Sequence, residues 1–325
     1  KDQREKIRSM NALLFLFALP LLYWQGGIES APSLKRAGIE RLCVPPGAAE
    51  SWRKAGFSVI PMSEAEFAAR EKLQTPGIAA RANVASPTRA PWINANGWRF
   101  MRDLLRNEAD KYHYDLPTGK AALATAEAFA YDADAVLKID PADLERFGQM
   151  FAFLRQLPAD DLPTLADLGV VDDGTTLAGE VMNLLARRNL LFLAAPTPLP
   201  QFPINIKLGT KEYPKNEATD PSLFALKIRR QLTDERRRLR IYGSEVVICR
   251  LTGDDSRVRL HLLNYGGREI AGLRIRLRGA YAKGEALVAG SGRIELTNYV
   301  ITDGATEFSL PKMETYAWIE LPSMK

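Results

Sequence analysis

Four aspartates stand where predicted strands of a parallel sheet end, and they are the residues of this sequence best suited to acid–base chemistry. They are Asp115, Asp140, Asp172 and Asp173. Sites in parallel α/β sheets form at the carboxyl ends of the strands. Two carboxyl groups placed there together can hydrolyse a glycosidic bond, one as acid and the other as base or nucleophile. We therefore predict Asp115, Asp172 and Asp173 as candidate catalytic residues.

Each strand-end aspartate also has a purely structural interpretation. Asp140 precedes a proline, and Asp-Pro is a typical helix start in which the carboxylate caps the first turn. Asp172 and Asp173 precede Gly174, which suits a turn that caps the following helix. Asp115 lies in the segment YHYDLPTG ahead of a helix, where a turn role is again the alternative. The sequence leaves both interpretations open.

A loop with two tryptophans carries the clearest pattern for ligand binding. The segment 91–99 reads PWINANGWR, and its candidate binding residues are Trp92, Asn94, Asn96, Trp98 and Arg99. Aromatic rings stack on the apolar face of a sugar, while amide and guanidinium groups bond its hydroxyl rim. The alternative is that both tryptophans close a hydrophobic core, which is the common fate of large aromatic residues.

The elements that must position these residues alternate between strand and helix patterns up to about residue 242. This alternation is typical of a parallel sheet covered by helices. From about residue 245 onward, short strand-like runs separated by glycine-containing turns predict an antiparallel β-sandwich. The predicted fold class is α/β, a remodelled or partial barrel plus a flavodoxin- or amidotransferase-like unit, followed by an antiparallel β-sandwich. The predicted parts are a leader (1–25), a partial barrel-like domain (26–165), the amidotransferase-like unit (166–242) and the sandwich (243–325).

The N-terminus has the pattern of an export signal. Basic residues at positions 1, 4, 6 and 8 precede a short apolar run from Ala12 to Trp24. This run is long enough for the core of a signal peptide and short for a membrane span. We therefore predict an exported chain, periplasmic or extracellular, that is cleaved around Gly26 to Ala31 and has no membrane association afterwards. An uncleaved anchor is the alternative.

The composition is that of a globular protein and excludes several kinds of site. The net charge of +5 is not gathered into one patch, so a nucleic-acid partner is not expected. Cys43 and Cys249 lie in strand-like runs, where buried free thiols are favoured and a disulfide is the alternative for an exported chain. Neither a zinc-binding spacing nor a serine–histidine–aspartate triad is indicated, since the sequence has two histidines. No metal or cofactor is predicted, and the oligomeric state is open.

A basic run, KIRRQLTDERRRLR, spans residues 227 to 240. A surface for phosphate or membranes is one interpretation of it. The favoured interpretation is a solvated helix face, because Asp234 and Glu235 interrupt the positive charge.

Three segments resemble secreted bacterial barrel glycosidases of the β-galactosidase type. LPTGKAALATAEAFAYDADAVLKID, from Leu116, is similar to a late-barrel segment, and FGQMFAFLRQLPADDLPTLADLGVVDDG, from Phe147, to the passage into the amidotransferase-like domain. RVRLHLLNYGG, from Arg257, is similar to a strand of the terminal sandwich. The resemblance implies a glycosidase-like fold and a carbohydrate ligand, either hydrolysed or bound. A non-catalytic binding or structural protein that kept this fold is the alternative.

The chain departs from this family in its barrel region. A complete eight-fold barrel needs about 200 residues or more, which is longer than the predicted domain at 26–165. No glutamate falls at the end of a clear strand there, so the catalytic glutamates of the family are carried over to no position of this sequence.

Overall fold

The computed structural model describes residues 19–79, 92–104, 112–158 and 162–324. These residues belong to two compact units, and each unit combines two separate stretches of chain. The first unit contains the described residues up to Thr75 and those from 112 to 158. The second contains the described residues from Pro76 to Leu104 and those from Leu162 onward.

Up to Tyr242, the described residues form short strands, several of which are followed by helices. The strands are β1 (Leu21–Tyr23), β2 (Arg41–Val44), β3 (Ser58–Pro61), β4 (Glu71–Lys72), β5 (Gly77–Ile78), β6 (Ile93–Asn94), β7 (Tyr112–Asp115), β8 (Ala135–Lys138), β9 (Leu168–Val171), β10 (Phe192–Ala195), β11 (Asn205–Lys207) and β12 (Leu239–Tyr242). The α-helices are Ala31–Arg36, Ala49–Lys54, Glu64–Ala69, Gly97–Leu104, Ala121–Ala130, Leu144–Leu154, Thr176–Arg187, Lys215–Ala218 and Pro221–Leu232.

The first unit is a six-stranded parallel sheet in the order β3-β2-β1-β8-β7-β4. Taken in the other direction around the sheet, the order is β4-β7-β8-β1-β2-β3, which is the chain order of a closed β/α barrel in which β8 neighbours β1. The missing strands, β5 and β6, belong to the second unit. The sheet stays open because β3 and β4 are its two edges, and no ladder joins them among the described residues. The predicted partial barrel is therefore confirmed.

Local capping explains where two helical segments of this unit begin. The Ser63 hydroxyl accepts from the Glu66 backbone N–H at 3.2 Å, and the Glu66 carboxylate accepts from the Ser63 N–H at 2.7 Å. This is the capping box that the sequence predicts. The Asp140 carboxylate accepts from the Ala142 N–H at 2.9 Å and so caps the turn that leads into the helix Leu144–Leu154. The structural interpretation of Asp140 is thereby confirmed.

The strand β1 lies inside the segment that the sequence assigns to a leader. Leu22 pairs with Leu42 on one side and with Leu137 on the other, so β1 is a central strand. Its last residue, Tyr23, stacks on Phe67 with the ring centroids 4.7 Å apart. The sequence pattern missed this strand, because an apolar run behind a basic flank has the composition of a signal peptide. Cleavage after Gly26 would remove β1 from the sheet.

Both cysteines are buried free thiols, as the sequence favoured. Burial raises the pKa of the Cys43 thiol to about 11. It raises the pKa of the Cys249 thiol as well. Each thiol therefore stays protonated at neutral and mildly alkaline pH.

We expect the native protein to resist a thiol reagent such as Ellman's reagent at pH 8. Only thiolates react, and both sulfur atoms are protonated and enclosed. In urea, both thiols should react rapidly. Fast reaction of even one thiol in the native protein, measured by absorbance, would contradict the buried placement.

The second unit begins with a small α/β layer. Its three parallel strands have the order β10-β9-β11, as the predicted flavodoxin-like unit requires. The helix Thr176–Arg187 follows β9 and packs against the helices Gly97–Leu104 and Pro221–Leu232. The short antiparallel pair β5–β6 belongs to the same unit.

The rest of the second unit is an antiparallel β-sandwich, which confirms the predicted fold class. Its further strands are β13 (Val247–Gly253), β14 (Arg257–Asn264), β15 (Ile270–Arg278), β16 (Glu285–Val288), β17 (Gly292–Arg293), β18 (Thr297–Thr302), β19 (Ala305–Met313) and β20 (Tyr316–Pro322). The two sheets have the orders β12-β15-β19-β18 and β13-β14-β20-β16-β17 and enclose a shared apolar core. Because β12 pairs with β15, the sandwich begins at Leu239, ahead of the predicted Gly243. Independent folding of residues 243–325 stays a prediction.

Among the described residues, no helix has the length and apolar character needed to cross a membrane.

Candidate functional site

The second unit gathers most of the predicted site residues around the helix Thr176–Arg187. Asp172 and Asp173 follow β9 directly, and the tryptophan segment provides β6 and the helix Gly97–Leu104, which packs on the same helix. Asp115 lies in the first unit, at the end of β7. Asp172, Asp173 and the tryptophan segment therefore all lie in the second unit, and Asp115 is placed separately.

Asp172 is held by an arginine that the sequence did not single out. Arg102 donates from Nε and Nη2 to the two carboxylate oxygens of Asp172, at 3.0 and 2.9 Å. The Asp172 side chain is 2% exposed and that of Arg102 16%, so the pair is largely withdrawn from water. The Gly174 N–H also donates to Asp172 at 3.0 Å. This carboxylate thus fixes the turn after β9 and ties it to the helix Gly97–Leu104.

Asp173 caps the next helix through Thr175. Its carboxylate accepts from the Thr175 hydroxyl at 2.6 Å and from the Thr175 N–H at 3.0 Å. The Thr175 hydroxyl in turn accepts from the Ala178 N–H at the helix start. The hydrogen bond from the Thr175 hydroxyl is the main cause that lowers the pKa of Asp173. Asp173 is therefore ionised at neutral pH and cannot serve as a proton donor there.

Trp98 is a packing residue of the helix Gly97–Leu104. An added Cβ at Gly179 would lie 2.9 Å from its ring, so the helix Thr176–Arg187 needs a glycine at this contact. The guanidinium carbons of Arg99 and Arg102 lie 5.0 and 5.5 Å from the Trp98 ring centroid. These cation–π contacts and the glycine contact engage much of the ring.

Trp92 is partly exposed and makes a different contact. The Arg187 guanidinium carbon lies 3.8 Å from the Trp92 ring centroid, which is a close stacking distance. The two asparagines of this segment have backbone roles. Asn94 pairs with Gly77 in the β5–β6 ladder. The Asn96 carbonyl accepts from the Arg99 N–H at 2.8 Å, at the start of the helix Gly97–Leu104.

Asp115 has a more open environment than Asp172. Its side chain is 46% exposed, and its Oδ1 lies 3.9 Å from the Lys138 ammonium on the neighbouring strand β8. Asp140 follows β8 at the same edge of the sheet. Hydrogen bonds from Ala142 N–H and then from the Thr118 hydroxyl lower the pKa of Asp140. The carboxyl edge of β7 and β8 therefore presents two carboxylates and one ammonium group.

A cavity of about 210 Å³ lies beside the tryptophan segment, because Arg187 both stacks on Trp92 and lines it. We refer to it as the arginine cavity. Its lining residues are Arg187, Arg188, Asn189, Arg229, Arg237, Arg240, Ile241, Tyr242, Ser244, Glu245 and Val247. Three of these arginines come from the basic run that the sequence suggested to be a solvated helix face. The helix ends at Leu232, so Arg237 and Arg240 lie beyond it.

Comparison with known proteins supports the fold described above. No protein-family model matches the sequence, and no curated protein matches it. The α-L-fucosidase isoenzyme 2 from Paenibacillus thiaminolyticus has a similar structure, with a TM-score of 0.56 and 9% identity over 84% of this chain and 69% of that chain. The chain therefore has a glycosidase-like fold, a mixed α/β body followed by a β-rich part.

Two β-galactosidases also match, with TM-scores that are too low to support an argument. The enzyme from Bacillus circulans sp. alkalophilus has a TM-score of 0.38 and 9% identity over 86% of this chain and 63% of that chain. A GH42 enzyme from G. stearothermophilus has a TM-score of 0.34 and 7% identity over 73% of this chain and 52% of that chain. The β-galactosidase type suggested by sequence resemblance stays a prediction.

Among the described residues, no cluster of three or more histidine, cysteine, aspartate or glutamate side chains is arranged to hold a metal ion.

Proposed function

We propose that this chain binds a carbohydrate on a glycosidase-like fold and that Asp172 and Asp173 do not act as hydrolytic residues. The observation that carries the binding role is the partly exposed Trp92 ring, and the bidentate pair between Arg102 and Asp172 argues against hydrolysis there. A retaining or inverting glycosidase needs one carboxyl group that can donate a proton. Asp172 is fixed as the partner of a guanidinium group, and the lowered pKa of Asp173 keeps it ionised.

Trp92 is the binding residue that the geometry favours. Arg187 covers one face of its ring, and the ring keeps partial exposure. A sugar can stack on the exposed part of this ring. Trp98 is also partly exposed, but Gly179 and two guanidinium groups contact its ring, so we assign it to packing.

Replacing Trp92 by alanine should weaken glycan binding by about 1 kcal/mol or more, roughly fivefold, while the melting temperature stays nearly constant. Trp98→Ala should instead lower the unfolding free energy by about 3 kcal/mol, because a packed ring is lost. Trp98→Phe is the matched control that retains an aromatic ring. Glycan-array binding and thermal melts on the same preparations measure both effects. A folded parent protein that binds no glycan would contradict the proposal.

Hydrolysis is the second candidate, and the exposed Asp115 beside Lys138 and Asp140 is the observation that favours it. The test is release of nitrophenol from nitrophenyl α-L-fucoside and β-D-galactoside, with Asp115→Asn as the variant. Release that is abolished by Asp115→Asn and kept in Asp172→Asn would establish the hydrolase. We expect no release above that of the Asp115→Asn protein.

We also propose that the chain is exported, and the position of β1 restricts where a signal peptide could be cleaved. The basic flank and the apolar run support an export signal. Since Leu21–Tyr23 form a central strand, we propose that any cleavage lies ahead of Leu21 or that the segment stays attached. N-terminal sequencing of protein from its host distinguishes these cases from cleavage after Gly26.

A further inference from the structure

The arginine cavity is lined by five guanidinium groups. Arg187 and Arg188 stand at the end of the helix Thr176–Arg187, whereas Arg229 belongs to the helix Pro221–Leu232 and Arg240 to β12. In the chain, Arg237 lies between the helix Pro221–Leu232 and the strand β12. The five arginines therefore come from three separate parts of the second unit and converge on one space.

A single carboxylate holds three of these arginines in place. Asp234 accepts from Arg229 Nε at 3.1 Å and from Nη2 at 2.9 Å. It also lies 3.4 Å from Arg237 Nη1 and 3.3 Å from Arg240 Nη2. The hydrogen bonds from Arg229 are the main cause that lowers the pKa of Asp234 to about 2. Asp234 is therefore charged over the whole physiological range and orients the cluster.

Arg237 is the buried member of the cluster. It is 6% exposed, and its Nη2 donates to the carbonyl oxygens of Arg188 and Asn189 at 3.3 and 3.2 Å. These bonds satisfy carbonyl groups just beyond the helix Thr176–Arg187. Its buried Nε has no hydrogen-bond partner. Burial first, and then the neighbouring Arg229 charge, lower the pKa of Arg237. The buried Arg237 guanidinium therefore keeps one N–H donor without an acceptor, and its positive charge lies close to that of Arg229.

The lining of the cavity is predominantly positive. It contains five guanidinium groups and one carboxylate, the exposed Glu245, and Asp234 lies among three of the guanidinium groups. The carbonyl end of the helix Thr176–Arg187 contributes only about half a negative charge. Burying an arginine among like charges is costly unless an anion compensates. An arginine fork offers paired N–H donors at the spacing of phosphate or sulfate oxygens.

We propose that the arginine cavity is a binding site for a dianionic oxyanion of the phosphate or sulfate class, free or carried as an ester by a larger ligand. Arg229 Nη1 and the Arg240 guanidinium, both oriented by Asp234, supply the donors at the open side, and the buried Arg237 adds positive charge. The proposal does not depend on the carbohydrate site at Trp92, although Arg187 adjoins both.

The test uses the full chain and isothermal titration calorimetry with inorganic phosphate, inorganic sulfate and acetate at matched ionic strength. The double variant Arg229→Gln/Arg240→Gln should weaken phosphate binding about tenfold or more, since it removes charge-assisted hydrogen bonds. Arg230→Gln is the matched control, because Arg230 is exposed on the same helix and does not line the cavity. It should change the affinity less than about twofold. Glu245→Gln should tighten phosphate binding, because it removes a negative charge from the lining.

Three results would overturn the proposal: no phosphate or sulfate binding by the parent chain, an equal loss in Arg230→Gln, or acetate binding as tight as phosphate binding. Phosphate binding by a protein that binds no glycan would uphold this site and reject the carbohydrate proposal. Methyl phosphate and methyl sulfate then show whether an ester is accepted as well as the free ion. Melting curves recorded for each variant confirm that it is folded.

Discussion

A chain that begins at Gly26 is expected to lose the cooperative unfolding of the first unit. Such a chain lacks Leu22, Tyr23 and Trp24, each of which is 4% exposed or less. Burial of one such side chain contributes about 1.5–3 kcal/mol. The combined loss of about 5 kcal/mol or more matches the whole stability of a typical domain. The sheet would also lose the strand that joins β2 to β8.

The matched comparison is a chain that begins at Leu19, which lacks most of the predicted leader and keeps β1. It should retain slow hydrogen exchange in β2 and β8, whereas the chain from Gly26 should exchange rapidly there. Equal protection in both chains would show that β1 is dispensable. It would also make cleavage after Gly26 compatible with a folded product.

Arg102→Ala is expected to destabilise the second unit by about 3 kcal/mol or more. The substitution leaves Asp172, whose side chain is 2% exposed, without its bidentate guanidinium partner. Breaking a buried ion pair by removing one partner typically costs about 3–5 kcal/mol, because a buried charge loses its compensation. Urea unfolding followed by circular dichroism measures the change.

The double variant Arg102→Ala/Asp172→Ala separates this effect from the loss of packing on Trp98. Removing both charges should restore part of the stability, so that the two single effects add to more than the effect of the double variant. Strict additivity would mean that the pair contributes no coupling. The assignment of Asp172 to structure would then need revision.

Local sequence patterns predicted much of this fold, because helix capping, turns and strand–helix alternation depend on residues that are close in the sequence. The capping residues Ser63 and Asp140 bond groups two or three residues away, so the sequence alone reveals them. The alternation of strand and helix predicted the parallel sheet, and the turn spacing after residue 245 predicted the sandwich. The partial barrel is confirmed on this basis, and the glycosidase-like fold that the sequence resemblance implied is confirmed by the structural comparison.

The features that the sequence did not predict depend on contacts between distant residues. The pattern around Asp172 shows a turn and a cap, but its partner Arg102 stands seventy positions earlier in the chain. The strand β1 was assigned to a leader, because composition cannot reveal that Leu22 will pair with Leu42 and Leu137. The arginine cavity brings two arginines at the end of one helix together with three from residues 229 to 240, and no local sequence pattern predicts this.

Because each unit is built from two separate stretches of chain, the second unit cannot be completed during synthesis until the first unit has been made. The segment with Trp92 and Trp98 is made before β7 and β8, yet its partners Asp172, Gly179 and Arg187 come after the first unit is finished. At about 5–20 residues per second, this interval is on the order of ten seconds. Throughout it, Trp92 lacks Arg187 and Trp98 lacks Gly179 on the nascent chain, so the packing of this segment is completed only when the second stretch of its unit has been made.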